Sequence, residues 1–254
     1  TSSDALDTSY NGGGVTLGVG AVAPVGVQAM MVNGSGQVVL VGTNATPKGW
    51  IQVYTTTGAL NFLTTDTDMN AANAVVQQTL ARYVVAGLNA TGPGLATVAG
   101  YTNTGAVDTT FGSSGKYTFG STYGIYGLVA DANDRLIVAY LNSTSGNVDV
   151  ARLTSNGTLD TTFGTSGRIT TASAMATTVL EQTIGRLVVA GGNASGGALF
   201  AYTSVDSATG TTGAVDVTFN TSGTNAATGG TTPGIFLTNT TNNVYTLVSD
   251  QYNR

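Results

Sequence analysis

Short apolar runs rich in β-branched residues recur along this chain: Gln37-Val38-Val39-Leu40-Val41-Gly42, Arg82-Tyr83-Val84-Val85-Ala86-Gly87, Arg135-Leu136-Ile137-Val138-Ala139-Tyr140, Arg186-Leu187-Val188-Val189-Ala190-Gly191 and Asn243-Val244-Tyr245-Thr246-Leu247-Val248. Each is too brief for a helix and apolar throughout, which predicts strands buried on both faces. An apolar segment and a tight polar turn come before each run, as in Met30-Met31-Val32 with Asn33-Gly34-Ser35-Gly36, or Leu128-Val129-Ala130 with Asp131-Ala132-Asn133-Asp134. Gly and Asn tolerate positive φ and close such hairpins without strain. A more exposed, alternating strand follows, as at Trp50 to Tyr54, Leu95 to Ala99 and Val148 to Arg152. Met69 to Leu80 has helical composition, but Gln78 to Gly87 aligns on Gln182 to Gly191, so this segment also reads as a hairpin.

A second pattern alternates with the first. Its clearest copies are Gly105-Ala106-Val107-Asp108-Thr109-Thr110-Phe111-Gly112-Ser113-Ser114-Gly115 and Gly157-Thr158-Leu159-Asp160-Thr161-Thr162-Phe163-Gly164-Thr165-Ser166-Gly167. Gly213 to Gly223 is a third, Ala5-Leu6-Asp7-Thr8-Ser9-Tyr10-Asn11 a fourth, and Gly58-Ala59-Leu60-Asn61-Phe62 a worn fifth. Together the two patterns make a repeat of about fifty residues and four antiparallel strands, the size of a propeller blade. The expected fold is therefore all-β: a β-propeller of about five four-stranded blades in one domain, with approximate units 1-57, 58-104, 105-156, 157-212 and 213-254. An open β-solenoid or a split propeller is the alternative.

The combination of Gly-x-Leu/Val-Asp-x-Thr-Phe-Gly-x-x-Gly with Gly-Arg-Leu-Val-Val-Ala-Gly resembles the delta-60 repeat family of bacterial surface and secreted proteins. The resemblance covers nearly the whole chain and is strongest from Gly105 to Gly192. It implies a propeller and names no reaction. The second unit departs from it: Asn61 stands for the Asp and Leu63 to Asp68 replace the Phe-Gly run, which predicts conserved strands around a rebuilt loop.

The last unit looks incomplete. It ends at Asp250-Gln251-Tyr252-Asn253-Arg254 without a counterpart of Trp50 to Tyr54, and only Thr1-Ser2-Ser3-Asp4 precede the first Leu-Asp motif. Either the blade is three-stranded, or the natural chain is longer, or a neighbouring subunit covers the open edge, which would build a fibre or layer.

Composition narrows the chemistry. Charged residues are 8% of the 254, against about 25% in an ordinary soluble protein. Solubility then rests on Thr, Ser, Asn and Gly, which suits an extracellular or cell-surface location. The net charge of −5 and the scatter of the eight basic residues speak against nucleic acid. There is no His and no Cys, which removes the usual triad base, the common zinc ligands, thiolate chemistry and disulfides. No apolar run approaches the roughly 18 residues of a membrane helix, and the first residues have neither the basic start nor the apolar run of a signal peptide; Thr1 fits the residue left after removal of one.

The recurrent acids Asp7, Asp108, Asp160 and Asp216 precede Thr-Thr, Thr-Ser or Val-Thr, where a carboxylate accepts backbone N–H groups just downstream and fixes a turn. Phe111, Phe163 and Phe219, with Tyr10 as the variant, are the expected apolar plugs of those turns. Asp66, Asp68 and Asn70 have the spacing of alternate calcium-binding oxygens, but Ala71 and Gln77 stand where an EF-hand needs Gly and Glu. The stretch reads either as an irregular calcium-binding loop, calcium being the cofactor it would imply, or as a polar loop with two solvated acids. Arg82, Arg135 and Arg186 recur at the start of the inner strand, either as a partial positive ring for an anion or paired with nearby acids. Eight Asn-x-Ser/Thr sites, at Asn33, Asn44, Asn89, Asn142, Asn156, Asn193, Asn220 and Asn239, are placed for glycans. Glu181, the only glutamate, lacks the facing carboxylate of a glycosidase.

The function expected is a non-enzymatic extracellular or cell-surface structural or interaction module. Its partners are copies of itself or other surface proteins, with neither nucleic acid nor membrane insertion. The alternative is a propeller that binds or degrades polysaccharide on one face through Trp50, Tyr54, Tyr101 and Asp149.

Overall fold

The structure, a computed structural model, describes residues 9–10, 24–79, 81–90, 94–120, 122–171, 175–182, 185–193, 196–203, 213–216, 219 and 235–237. The chain divides into two compact units, Thr1–Thr118 and Phe119–Arg254. Among the described residues there are sixteen strands and no α-helix, arranged as four antiparallel four-stranded sheets.

In the first unit, β1 (Pro24–Val32), β2 (Val38–Asn44), β3 (Gly49–Tyr54) and β4 (Leu60–Asp66) form the first sheet in sequential order. The second sheet holds β5 (Met69–Gln77), β6 (Tyr83–Asn89), β7 (Ala96–Tyr101) and β8 (Lys116–Thr118). Met69 to Gln77 is thus a strand despite its Ala and Gln, because pairing with β6 and burial of Met69, Ala72 and Val75 override helix propensity. Those three pack with Val39, Val41, Ile51, Val53, Tyr83, Val85, Ala99 and Tyr101 in one core between the two sheets.

The second unit repeats the arrangement. β9 (Thr122–Ala130), β10 (Leu136–Asn142), β11 (Val148–Leu153) and β12 (Arg168–Thr170) form the third sheet. β13 (Met175–Gln182), β14 (Arg186–Asn193), β15 (Gly196–Thr203) and β16 (Ile235–Leu237) form the fourth. Ile137, Ala139, Val148, Val150, Phe163, Val179, Leu187, Val189, Ala198 and Phe200 share its core.

The first hairpin of every sheet uses one turn. Asn33, Gln78, Asp131 and Gln182 each accept, at the carbonyl, the N–H of the residue three places on. That residue is left-handed each time: Gly36 at φ 74°, Ala81 at 59°, Asp134 at 61° and Gly185 at 76°. Only glycine adopts this conformation freely, so Ala81 and Asp134 are held there by the turn.

The Leu/Val-Asp motif does not begin a sheet. It connects the third strand to the fourth: after the tight turn at Thr102 to Ala106 the chain bridges Tyr101 to Val107, passes Asp108 and Phe111, and returns as β8. The same path runs through Leu153 and Leu159 to β12. The sheets therefore span 24–66, 69–118, 122–170 and 175–237, and the unit boundaries expected at 58, 105, 157 and 213 fall inside sheets. In the worn copy the loop is not rebuilt but absent. β4 starts at Leu60 and runs for 7 residues through Asn61 and Phe62, whereas β8 and β12 have 3 each. The residues bearing on a fifth, incomplete unit, 1–8, 11–23 and 238–254, lie outside the described ones.

Candidate functional site

Three of the repeated acids are built into one kind of clamp. The Asp108 N–H donates to the Gly100 carbonyl (2.9 Å), and its carbonyl accepts the Phe111 N–H (3.0 Å). One carboxylate oxygen, Oδ1, takes both the N–H and the hydroxyl of Thr110, at 3.0 and 2.6 Å. The other, Oδ2, takes Arg82 Nε at 2.6 Å. The guanidinium lies 5.5 Å from the centre of the Phe111 ring, which is fully buried. Asp160 repeats this geometry with Thr162 at 3.1 and 2.6 Å, Arg152 Nε at 2.7 Å and the guanidinium 4.8 Å from the Phe163 ring. Asp216 pairs with Arg186 Nε at 2.5 Å, and that guanidinium sits 5.5 Å from the Phe219 ring.

The arginine comes from different strands. Arg82, Arg135 and Arg186 occupy one register position, just before Tyr83, Leu136 and Leu187, which pair with Tyr101, Leu153 and Tyr202 respectively. Arg82 and Arg186 reach across the third strand, over Gly100 and Ala201. A Cβ on Gly100 would lie 2.8 Å from Phe111 Cβ and 3.3 Å from Arg82 Cδ, so the crossing needs a small residue there. In the third sheet that position is Arg152, which takes Asp160 itself. Arg135 instead binds Asp131 of its own hairpin, Nε to Oδ2 at 2.5 Å. Where Arg crosses, the hairpin residue is Gln78 or Gln182, whose amide oxygen accepts Nη1 at 3.1 and 3.4 Å. In the first sheet Gln37 and Asn61 stand at the Arg and Asp positions, and both charges are missing together.

Arg82, Arg135 and Arg186 are therefore ion-paired with nearby acids, and Arg152, which supplies the third clamp, is not among the arginines that the repeat singles out. The signal for the pairing is the joint loss of Arg and Asp from the first sheet. Arg152 needed the register. Asp108 and Asp160 are held below the ordinary aspartate value. At Asp108 the Thr110 hydroxyl has the largest effect, with Arg82 adding to it. At Asp160 burial acts upward but is outweighed by Thr162 and Arg152.

Asp66 and Asp68 hold a cation, but it belongs to the chain. Lys116 Nζ lies 2.8 Å from Asp66 Oδ1 and 3.1 Å from Asp68 Oδ2. Asp66 also accepts the Tyr101 hydroxyl and the Asp68 N–H, the latter at 2.8 Å. An ammonium thus stands between the acids where calcium was considered, and Asn70 is the second residue of β5. Among the described residues no three His, Cys, Asp or Glu converge as a metal site. Burial raises the Asp66 carboxyl, yet Lys116, Tyr101 and the Asp68 N–H together hold it below its ordinary value. Burial and the adjacent carboxylate push Tyr101 far up.

The polysaccharide platform loses its aromatic residues. Trp50, Tyr54, Tyr101 and Asp149 are 4%, 3%, 1% and 2% exposed, and a ring stacks on sugar only through an open face. Trp50 and Tyr54 belong to the first sheet, Tyr101 to the second, and Asp149 lies in the other unit. Asp149 accepts Asn142 Nδ2 at 2.8 Å, Thr170 Oγ1 at 2.7 Å and the Tyr140 hydroxyl at 3.4 Å.

Most of the described sequon asparagines make turns. Asn44, Asn89, Asn142 and Asn193 all end the second strand of a sheet. The first three use Oδ1 to accept loop N–H groups, from Thr46 and Lys48, from Leu95, and from Thr144. Asn33 is buried, and its Nδ2, where a glycan would attach, donates to Tyr83 and Gln37 at 2.8 and 2.9 Å. Asn156 is exposed in a turn. Asn220, Asn239 and Asp7 lie outside the described residues.

No family model matches the sequence, and no curated relative is found. Among solved structures, a protein of unknown function from Bacteroides caccae is similar over 69% of this chain and 56% of its own, with 11% identity and a TM-score of 0.46. PorZ, a surface component of the type-IX secretion system of Porphyromonas gingivalis, is similar over 76% of this chain and 29% of its own, at 13% identity and a TM-score of 0.45. A eukaryotic initiation factor gives 11% identity and a TM-score of 0.36, over 70% and 41%. This chain thus spans less than two thirds of each.

Proposed function

We propose that this chain is a non-enzymatic module of the extracellular space or cell surface, its sheets the blades of a propeller as the delta-60 resemblance implies. It works through contacts with copies of itself or other surface proteins. The observation that carries this reading is the engagement of the acids. Asp66, Asp108, Asp131, Asp160 and Asp216 each bind a cation of the fold, and Asp149 takes three neutral donors. Carboxylates held this way at repeated positions serve as acceptors in turns and are poorly placed for proton transfer.

A contact surface is available on the first sheet. Among the described residues β1 is an edge strand, and it carries Met30 and Val32, 66% and 60% exposed, on the face opposite the core residues Ala29 and Met31. Their register partners Leu40 and Val38 extend the same uncharged patch. An apolar edge without a charge to repel its own kind favours association with a second copy. Light scattering over a range of concentrations tests this. Wild-type chain is expected to exceed 25.4 kDa, and Met30→Lys with Val32→Lys to return it to that mass with unchanged circular dichroism. A wild-type monomer at every concentration, or an assembly indifferent to both lysines, overturns the self-contact.

A further inference from the structure

A cleft of about 530 Å³ opens in the second unit, lined by Asp149, Gly164, Thr165, Arg168, Ile169, Thr170 and Gly213. That volume is within the ordinary range of small-molecule sites, about 300–1,000 Å³. Its arginine differs from the rest. Arg82, Arg135, Arg152 and Arg186 each place Nε on an aspartate within 2.7 Å. Arg168 Nε is buried without a hydrogen-bond partner, and among the described residues no carboxylate forms an ion pair with this guanidinium. Its neighbour is the neutral Tyr140 hydroxyl. The register equivalent in the second sheet is Lys116, opposite Ala99 as Arg168 is opposite Ala151, and Lys116 has two acids to itself.

Asp149 completes the arrangement. A carboxylate offers about four lone-pair sites, and three donors reach this one from Asn142, Thr170 and Tyr140. One acceptor site is left, and Asp149 lines the cleft with Arg168, two threonine hydroxyls, two glycines and Ile169. A guanidinium whose hydrogen-bonding neighbour is a neutral hydroxyl and not a carboxylate selects a planar carboxylate, which it can grip by two parallel bonds. A spare carboxylate lone pair beside threonine hydroxyls selects a hydroxyl donor. The same Asp149 charge repels compact anions that bring no hydroxyl to it.

We propose that the cleft binds a carboxylate-bearing sugar, a uronate, with its carboxylate on Arg168 and ring hydroxyls on Asp149, Thr165 and Thr170. This goes beyond the surface-module reading and fails separately from it, since the cleft and the β1 edge lie in different units.

The test is calorimetric titration of the full chain with trigalacturonate, galactotriose and sulfate. Trigalacturonate is expected to bind about tenfold or more tightly than either of the others. Arg168→Gln should weaken it by about tenfold or more, Arg168→Lys should restore part of the loss because the fold accepts a lysine at that register, and Thr165→Val at the exposed rim should weaken it severalfold without change in thermal midpoint. The proposal is overturned if the wild type does not bind trigalacturonate, if galactotriose or sulfate binds equally well, or if the folded Arg168→Gln or Thr165→Val chain binds like the wild type.

Discussion

Converting the third sheet's clamp into the fourth sheet's form tests the geometry of the repeat. Arg152→Ala removes a guanidinium whose side chain is 1% exposed, together with its bond to Asp160, 13% exposed, and its stacking on Phe163. Breaking one side of a buried pair costs about 3–5 kcal/mol. Asp160 keeps its two Thr162 bonds, which places the expected loss near the lower end, about 3 kcal/mol. Asp131→Gln alone frees Arg135 but finds Arg152 already on Asp160, and removes an acceptor of the Asn133 and Arg135 N–H groups; a loss of about 1–2 kcal/mol is expected.

Combined, the two changes reproduce the Gln, Arg, small-residue, Asp pattern of the fourth sheet, where Arg186 crosses Ala201 to Asp216. Arg135 then has a path to Asp160. The double variant should be at least about 2 kcal/mol more stable than additivity allows, a coupling typical of residues in one network. Urea unfolding of the four chains measures it. Strict additivity would refute the claim that the clamp depends on which strand supplies the arginine.

Other consequences are simpler. Ala81→Gly relieves a left-handed alanine in an exposed turn and should stabilise by about 0.5–1 kcal/mol, read from the urea midpoint. Asp108 and Asp160 have folded values below their ordinary 3.8, so their contribution is complete above that pH and is lost as the pH falls through the depressed folded values; Asp160→Asn should flatten the acid limb of the stability profile. Trp50 is the chain's only tryptophan and is 4% exposed, so its fluorescence should be blue-shifted and resist acrylamide, whereas easy quenching would reinstate it as a surface ring.

Much of this architecture was legible in the chain. The runs at Tyr83, Leu136 and Leu187 announce second strands because full burial demands unbroken apolar residues, whereas β2 from Val38 buries alternate residues, and the Asn33 and Asp131 turns follow from residues that bind their own backbone. The Asp of the motif could be read as a turn acceptor, since Thr110 and Thr162 are local. Its arginine could not be placed as readily, because Arg82 is 26 residues from Asp108 while Arg152 is 8 from Asp160. The phase of the repeat was hidden too: a period has no natural origin, and only the hydrogen bonds place Asp108 between a third and a fourth strand. Asn44, Asn89, Asn142 and Asn193 invited reading as sequons, though their common place at the end of the second strand points to a turn. Lys116, the ammonium that pairs with Asp66, is 50 residues away, beyond the reach of local spacing.

The account turns on the claim that the chain's acids are acceptors of the fold. Carboxyl ¹³C NMR titration of the intact protein tests it directly. Asp66, Asp108 and Asp160 are expected to titrate below the range of a free aspartate, each bound by a cation and by backbone or hydroxyl donors. Any of the three titrating above that range, toward neutrality, would contradict the account and mark an acid prepared for proton transfer.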